Sequence, residues 1–206
     1  INGLALEIAF RHGVRKIVKS KSMVSEESAL DLAIEGAGLE VVETDLGEYI
    51  LQINGYEPPS HIVGPALHKS KEEVTELFHR RHGTPRKEGI EELCREARAV
   101  LREHYLTADM GISGGNFFVA ETGSVVLVTN EGNASLATTL PKVHVAISGI
   151  EKIVPTLEDV ATLMRLLPRS ATGQSISNYV DVLTGTRGEG EFHGVDHMYF
   201  ILVDSG

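Results

Sequence analysis

The sequence predicts an α/β domain with a mostly parallel sheet flanked by helices. Residues 14–44 read as strand, helix and strand, a βαβ unit that implies parallel pairing. Further helical segments and apolar strands alternate up to residues 198–204. The 206 residues, 42% of them hydrophobic, are enough for one large domain with its own core, which we expect over residues 1–206.

The first half of the chain alternates apolar runs of strand length with segments of helical periodicity. The predicted helix over 25–38 has Ser25 as its N-cap and Gly38 at its left-handed end. Residues 55–65 contain three prolines and predict a loop. The other predicted elements are a helix over 3–12 ending at Gly13, strands over 14–20, 40–44 and 49–53, and helices over 70–82 and 88–104.

The second half predicts a strand-rich, helix-poor region over residues 109–150. Within it, Val125 to Val128 are four consecutive apolar residues, which indicates a strand buried on both faces. A helix over 156–167, capped by Thr156 and Asp159, and a strand over 198–204 follow. The polar, glycine-rich residues 169–180 and 185–194 predict mobile or ligand-facing segments.

Composition excludes several classes of function. A net charge of −10 argues against nucleic-acid binding, and no apolar run approaches the ~20 residues of a membrane span. The single cysteine, Cys94, excludes an internal disulfide and any cysteine-ligated cluster held by these residues alone, and it suits a reducing cytoplasm. Cys94 shares a helical face with Leu93 and Ala97, so we expect it in the core. Because the chain begins with Ile1 and not Met, we expect it to be part of a longer protein.

Polar residues follow both strands of the βαβ unit, where ligands collect in open α/β sheets. Lys19, Ser20, Lys21 and Ser22 follow the first strand and would bind a carboxylate or a phosphate; the alternative is a solvated turn. Glu43, Asp45 and Glu48 follow the second strand and would act as general bases, metal ligands or loop acids. The first turn lacks the G-x-G-x-x-G fingerprint, so a dinucleotide site is disfavoured.

The histidines do not predict a metal site. His61 and His68 are seven residues apart, and His79 and His82 are three apart on a helix, but no third ligand accompanies either pair. We expect no metal in this chain, and we expect His79 and His82 to be solvated.

Two polar clusters flank the apolar strand at Val125 to Val128. Either they are turns, or they are the walls of a site in which Glu121 is a partly buried general base. The flanking residues are Glu121, Thr122 and Gly123 on one side and Thr129, Asn130, Glu131 and Asn133 on the other.

Several stretches together resemble the lactate utilization protein B family and its LUD domain. They are "VKSKSMVSEE", "ETDLGEYILQ", "PPSHIVGPALHK", "ADMGISGGNFFVAETGSVVLVTNEGN", "TTLPKVHVAISGIEKIVPTLED" and "LPRSATGQ". The resemblance runs through almost the whole chain. It implies a fold similar to the ribose-5-phosphate isomerase and CoA-transferase group. It also implies a part in the cytoplasmic oxidation of L-lactate to pyruvate within a three-protein bacterial complex.

In that family, a ferredoxin-like segment with two four-iron four-sulfur clusters follows the LUD domain, so we expect no cofactor in these residues. On this reading Lys19 and Lys21 hold the carboxylate of a small 2-hydroxy acid, and Glu121, or His61 or His68, takes the hydroxyl proton. Two alternatives stay open. One is a non-catalytic scaffold or metabolite sensor that docks the other subunits. The other is a sugar-phosphate isomerase or CoA-transferase-like enzyme. Whether these residues are active alone is left open.

Overall fold

The computed structural model describes residues 1–61, 64–129, 131–177 and 179–204. Helices and strands alternate along them, as the sequence predicts. The helices are α1 (Asn2–Arg11), α2 (Met23–Glu27), α3 (Leu30–Gly36), α4 (Leu46–Ile53), α5 (Lys71–His82), α6 (Ile90–Thr107), α7 (Asn133–Thr139), α8 (Leu157–Met164) and α9 (Leu167–Thr172). The strands are β1 (Lys16–Lys19), β2 (Glu40–Glu43), β3 (Met110–Ser113), β4 (Phe117–Val119), β5 (Ser124–Thr129), β6 (Val143–Gly149), β7 (Ile153–Val154), β8 (Tyr179–Leu183) and β9 (His197–Val203).

Two sheets form among the described residues. The larger has the order β2-β1-β3-β6-β9, and every neighbouring pair in it is parallel. The smaller has the order β7-β4-β5-β8, with antiparallel pairing of β5 to β4 and β8 and parallel pairing of β4 to β7. The predicted α/β class with a mostly parallel sheet is therefore confirmed.

Both faces of the larger sheet are covered. Ile17 and Met110 face a core shared with α1 and α3, and Val18 faces a second core shared with α4, α5 and α6. The connection from β1 to β2 and that from β2 to β3 thus cross opposite faces. The strand order reverses between β1 and β3, so their carboxyl ends border a crevice where α/β folds bind ligands.

Two predicted elements are wrong. The helix predicted over 25–38 is two helices, α2 and α3, because Ala29 between them takes the left-handed conformation (φ 51°), and the N-cap of α2 is Ser22, not Ser25. The strand predicted over 49–53 is helix α4. The carboxylate of Asp45 accepts hydrogen bonds from the amides of the first turn of α4, and its buried side chains face the core at helical spacing.

In the second half of the chain, the structure agrees more closely with the predicted elements. Val125 and Leu127 on one face of β5 and Val126 on the other enter separate cores, so this strand is buried on both faces. The helix-poor prediction for 109–150 missed α7, which packs on β3 so closely that a Cβ at Gly111 would lie 1.7 Å from the Ala137 carbonyl oxygen.

The core position predicted for Cys94 is wrong, because this residue is exposed. The buried stripe of α6 includes Leu93, Ala97 and Leu101, and Cys94 lies beside it. No helix within the described ranges combines the length and the apolar character needed to cross a membrane.

Candidate functional site

A buried charge cluster, made of Lys19, Asp31 and Glu43, lies at the carboxyl ends of β1 and β2. Lys19 is fully buried, and its ammonium forms an ion pair with the Glu43 carboxylate. Its Nζ also lies 3.5 Å from Asp31 Oδ1 and donates a hydrogen bond of 3.2 Å to Ser25 Oγ. The charge of Lys19 is therefore already matched inside the protein, and it does not face solvent as an anion-binding turn would require.

The charges of this cluster do not balance. Burial lowers the pKa of Lys19, but Glu43 and Asp31 outweigh it and raise that pKa to about 12, so the ammonium is charged. Burial raises the pKa of Glu43 well above its ordinary value, and the neighbouring Asp31 adds to this although Lys19 opposes it. One lysine cannot neutralise two carboxylates in a medium of low dielectric constant, so the cluster favours keeping a proton.

A second group of charges lies next to it, made of Lys21, Glu26 on α2 and Glu48 on α4. Lys21 Nζ is 3.5 Å from Glu48 Oε1. Burial and the proximity of Glu48 raise the pKa of Glu26. Among the described residues, Lys21 Nζ, Glu26 Oε1 and Glu48 Oε1 are shielded from solvent and have no hydrogen-bond partner.

A cavity of about 200 Å³ opens between the two groups, and we call it the acidic cavity. Its charged wall includes Lys19 and the carboxyl groups of Glu26, Asp31, Glu43 and Glu48. The rest of the lining is mainly apolar and includes Leu32, Leu51, Gln52, Tyr56, Pro58 and Pro59.

The crevice between β1 and β3 brings together the predicted residues that follow β1. Ser22 caps α2 by accepting a hydrogen bond of 3.4 Å from the Ser25 amide. A Cβ at Gly114, just past β3, would lie 3.5 Å from the Lys21 carbonyl oxygen and from Ser22 Cβ. Ser20 is buried and bonds through its amide to the Ile112 carbonyl. Lys21 is the half-buried cation at this crevice.

Two predicted acids, Asp45 and Glu131, come together at the amino end of α4. Burial and the nearby Asp45 raise the pKa of Glu131, whose carboxylate also accepts a hydrogen bond from the Leu46 amide. The turn before α7 is internally bonded, since Thr129 Oγ1 lies 2.9 Å from the Glu131 carbonyl oxygen and 3.3 Å from Asn133 Oδ1. Asn130, also predicted to bind substrate, lies outside the described residues.

The predicted site residues that precede β5, Glu121 to Gly123, lie at the opposite end of this strand from Thr129 and Glu131. Glu121 is exposed, not partly buried, and its Oε1 accepts a hydrogen bond of 2.7 Å from the Leu157 amide at the start of α8. Thr122 and Gly123 complete the turn, where Gly123 has φ 65°. The six residues of β5 separate its ends by about 17 Å. A small ligand cannot contact both ends, so the predicted residues of 121–123 and 129–133 do not share one site.

His61 and His68 lie on the loop before α5. His61 is exposed, and its Nδ1 accepts a long hydrogen bond of 3.4 Å from the Gly64 amide. His68 Nε2 is 2.8 Å from Glu57 Oε1. Hydrogen bonds from Lys69 and His68 lower the pKa of Glu57 to about 2. His68 is therefore held by an acid at the mouth of the acidic cavity, since Glu57 also lines it.

The expectation that His82 is solvated is wrong. Its Nε2 lies 2.8 Å from the Tyr49 hydroxyl and its Nδ1 2.8 Å from Glu96 Oε1, with its side chain only 6% exposed. His79 is half-buried beside the Thr84 carbonyl. Over the residues that the structure describes, no three histidine, cysteine or acidic side chains are arranged to hold a metal ion.

Sequence reasoning missed Glu26 and Asp31 as site residues. The available signal was Lys19, which follows the core residues Ile17 and Val18 in the same strand. A lysine in that position must find acidic partners on a covering helix.

Comparison with known proteins gives consistent results. The family model of the LUD domain matches residues 8–203. The chain is 51% identical over 205 residues to lactate utilization protein B of Geobacillus sp. (strain WCH70), and 55% identical over 192 residues to the protein of that name from Anoxybacillus flavithermus. These alignments cover 100% and 93% of this chain but 43% and 41% of the relatives. The chain thus spans about two-fifths of the length of the curated relatives it matches.

Among solved structures, the chain is similar to the crystal structure of a DUF162 family protein from Deinococcus radiodurans. The two are 16% identical, with a TM-score of 0.40. The alignment covers 97% of this chain and 93% of that one.

Proposed function

The chain belongs to the LUD-domain family, and on that premise we propose that it is the domain of a lactate utilization protein that binds a small 2-hydroxy acid, L-lactate in the first place. The names of the relatives support the substrate, and the crevice between β1 and β3 supports the location. Because the relatives are more than twice as long, the activity and partners of the whole protein are part of the proposal.

The observation that carries the proposal is the state of Lys21. Its ammonium is shielded from solvent and, apart from an ion pair of 3.5 Å with Glu48 Oε1, has no hydrogen-bond partner among the described residues. A buried ammonium with unused donors is a strong site for a carboxylate, because charge-assisted hydrogen bonds are the strong ones. Lys19, two residues earlier, cannot serve in the same way, since Glu43 and Asp31 already hold it.

Glu26 is the group that fits the role of proton acceptor. Burial, and then the neighbouring Glu48, raise its pKa, which makes it a stronger base than an ordinary carboxylate. Oxidation of a 2-hydroxy acid to a 2-oxo acid removes the hydroxyl proton and two electrons together with the proton on C2. In this proposal the Glu26 carboxylate takes the hydroxyl proton, and the C2 proton and the two electrons leave to an acceptor outside these residues.

Iron–sulfur clusters do not fit these residues, because Cys94 is the single cysteine. The electron acceptor, for which two four-iron four-sulfur clusters are proposed in the full-length protein, lies outside them. The role of this chain in the reaction therefore ends with binding the acid and taking its hydroxyl proton.

Calorimetric titration with L-lactate tests the assignment. Lys21→Ala should weaken binding about tenfold to a hundredfold, from the loss of a charge-assisted hydrogen bond worth about 1.5–3 kcal/mol. Lys142→Ala, which removes an exposed lysine, is the matched control and should bind as the wild type does. Equal affinity of the Lys21 and Lys142 variants would contradict the proposal. Binding of ribose 5-phosphate or CoA without lactate would favour the isomerase or transferase alternative.

A second function, docking of another subunit, is favoured by the outer strand of the smaller sheet. On β8, Val180 and Val182 are 43% and 47% exposed, and Ile176 nearby in the chain is 76% exposed. An open edge strand with exposed apolar side chains is a common docking surface. Val182→Glu should abolish co-purification with the other lactate utilization subunits while leaving lactate affinity unchanged. Retention of the complex would contradict docking at β8.

A further inference from the structure

The acidic cavity contains more negative charge than its lysines can neutralise. Five carboxyl groups, on Glu26, Asp31, Glu43, Glu48 and Glu57, line it together with the single ammonium of Lys19. Two more positive charges come from Lys21, which pairs with Glu48, and from Lys69, which pairs with Glu57. The formal excess around the cavity is thus two negative charges.

Several oxygens that carry this excess are buried and lack a hydrogen-bond donor. On each of Glu26, Asp31, Glu43 and Glu48, one oxygen is shielded from solvent and has no hydrogen-bond partner among the described residues. Those of Asp31 and Glu48 lie 3.5 Å from the ammonium groups of Lys19 and Lys21. The side chains of Glu43 and Glu48 are only 5% and 8% exposed. Burying an acceptor without a donor costs about 1–3 kcal/mol, and more when it is charged, so such a set points to a missing donor group.

Two kinds of partner can relieve the excess, protons or a bound cation. Burial first of all raises the pKa values of Glu26 and Glu43, which is the direction that favours protons. A metal ion does not fit, since no set of three suitable ligands occurs in the described part of the chain. The remaining partner is an organic cation, whose N–H groups can replace the protons and donate to several oxygens.

We propose that the acidic cavity binds a small organic cation, with an ammonium or guanidinium group against Glu26, Glu43 and Glu48 and a short hydrocarbon chain against Leu51, Pro58 and Pro59. The volume of about 200 Å³ limits the ligand to a few non-hydrogen atoms. The apolar part of the lining suits a methylene chain. A second polar group there would lose its hydration without gaining a partner. This site adjoins the proposed lactate site at Lys21 and shares Glu26 and Glu48 with it, but it differs in its ligand, which has the opposite charge.

The first test is a ligand series on the wild-type chain by calorimetry. Butylamine and butylguanidine, each with one cationic group and a short hydrocarbon chain, should bind. Butan-1-ol, which lacks the charge, and tetramethylammonium, which lacks N–H donors, should not. Absence of binding by both butylamine and butylguanidine, or equal binding of tetramethylammonium, would overturn the proposal without any variant.

A matched pair of variants then locates the site. Glu26 lines the acidic cavity and Glu27, the next residue of α2, is exposed. Glu26→Gln should weaken amine binding at least tenfold, and Glu27→Gln should leave it within twofold. The same weakening in both variants would mean nonspecific attraction to an acidic surface and would overturn the site.

Proton release gives a further readout. Because the cation replaces a proton held by the carboxyl groups, the binding enthalpy at pH 7 should differ between phosphate and Tris buffers by an amount equal to the release of about one proton. Equal binding enthalpies in the two buffers would mean that no proton is released, and they would contradict the exchange of a proton for the cation. Lactate is titrated in parallel, so failure of either proposal is seen separately.

Discussion

Replacing His144 by glutamine should make the protein lose much less stability when the pH falls into the mildly acidic range. His144 lies inside the larger sheet on β6, fully buried, with Nε2 2.8 Å from Ser113 Oγ and Nδ1 without a hydrogen-bond partner among the described residues. Burial alone lowers its pKa from 6.5 to about 4. The unfolded chain therefore takes up the proton first, so stability is present above pH 6.5 and is lost as the pH falls toward 4.

The size of this effect follows from the pKa difference. A difference of about 2.5 corresponds to about 3 kcal/mol in total at 1.36 kcal/mol per pKa unit, of which about 2 kcal/mol is lost between pH 7 and pH 5. Glutamine does not titrate, and its side-chain amide can still bond to Ser113 Oγ.

Urea denaturation at pH 7 and pH 5 measures this loss. Between pH 7 and pH 5 the free energy of unfolding falls in both proteins, and the fall should be about 2 kcal/mol smaller in His144→Gln than in the wild type. His193→Gln, at an exposed histidine, is the control and should fall as the wild type does. The comparison removes the contribution of every other titrating group. Equal falls in the His144 variant and the wild type would refute the reasoning.

Three further substitutions test the fold around the site by urea denaturation. Ala29→Gly should raise the free energy of unfolding by about 0.5–1 kcal/mol, because it relieves a left-handed conformation (φ 51°). Gly111→Ala should lower it by more than about 3 kcal/mol or prevent folding, since its Cβ would overlap the Ala137 carbonyl. Lys19→Met should lower it by roughly 3–5 kcal/mol at pH 7, because it leaves the Glu43 carboxyl buried without its cation.

Each of these substitutions has a matched control on a neighbouring element. Ala33→Gly, inside α3, should lower the free energy of unfolding by about 1 kcal/mol, opposite in sign to Ala29→Gly. Gly36→Ala meets no neighbour within 4 Å and should raise it slightly. Lys16→Met removes an ion pair to the half-exposed Glu40 and should change it by less than about 1 kcal/mol. If a variant and its control change the free energy of unfolding by the same amount and in the same direction, the corresponding argument is contradicted.

Patterns local in sequence predicted most of the fold. The βαβ unit, the two long helices and the apolar run at Val125 were read from periodicity, which depends only on neighbouring residues. The failures lie where a single residue overrides the pattern. Residues 49–53 are apolar enough for a strand, but Asp45 four residues earlier caps a helix there. Ala29 gives no sign in the sequence of its left-handed backbone, which tertiary packing imposes.

The candidate site was predicted only in part, for a physical reason. The edge of the sheet that holds it follows from the strand order, so Lys21 and Asp45 could be placed there. Which lysine is buried could not be predicted, because the partners of Lys19 lie 12 and 24 residues further along, on α3 and β2. The orientation of Asp31 toward the sheet depends on how α3 is rotated about its axis when it packs, and this rotation cannot be read from the sequence.

The two proposed ligands meet at Glu26 and Glu48, so their binding should be coupled. An amine in the acidic cavity keeps Glu26 ionised, which makes it available as a base, and it places a positive charge next to the carboxylate of a hydroxy acid at Lys21. Opposite charges this close favour joint occupancy, and linkage requires each ligand to raise the affinity of the other by the same factor, of order 5-fold or more. Calorimetric titration of L-lactate with and without saturating butylamine measures that factor. A reduced affinity for lactate would mean that the two ligands compete for one site, and the separate location given to Lys21 would then be wrong.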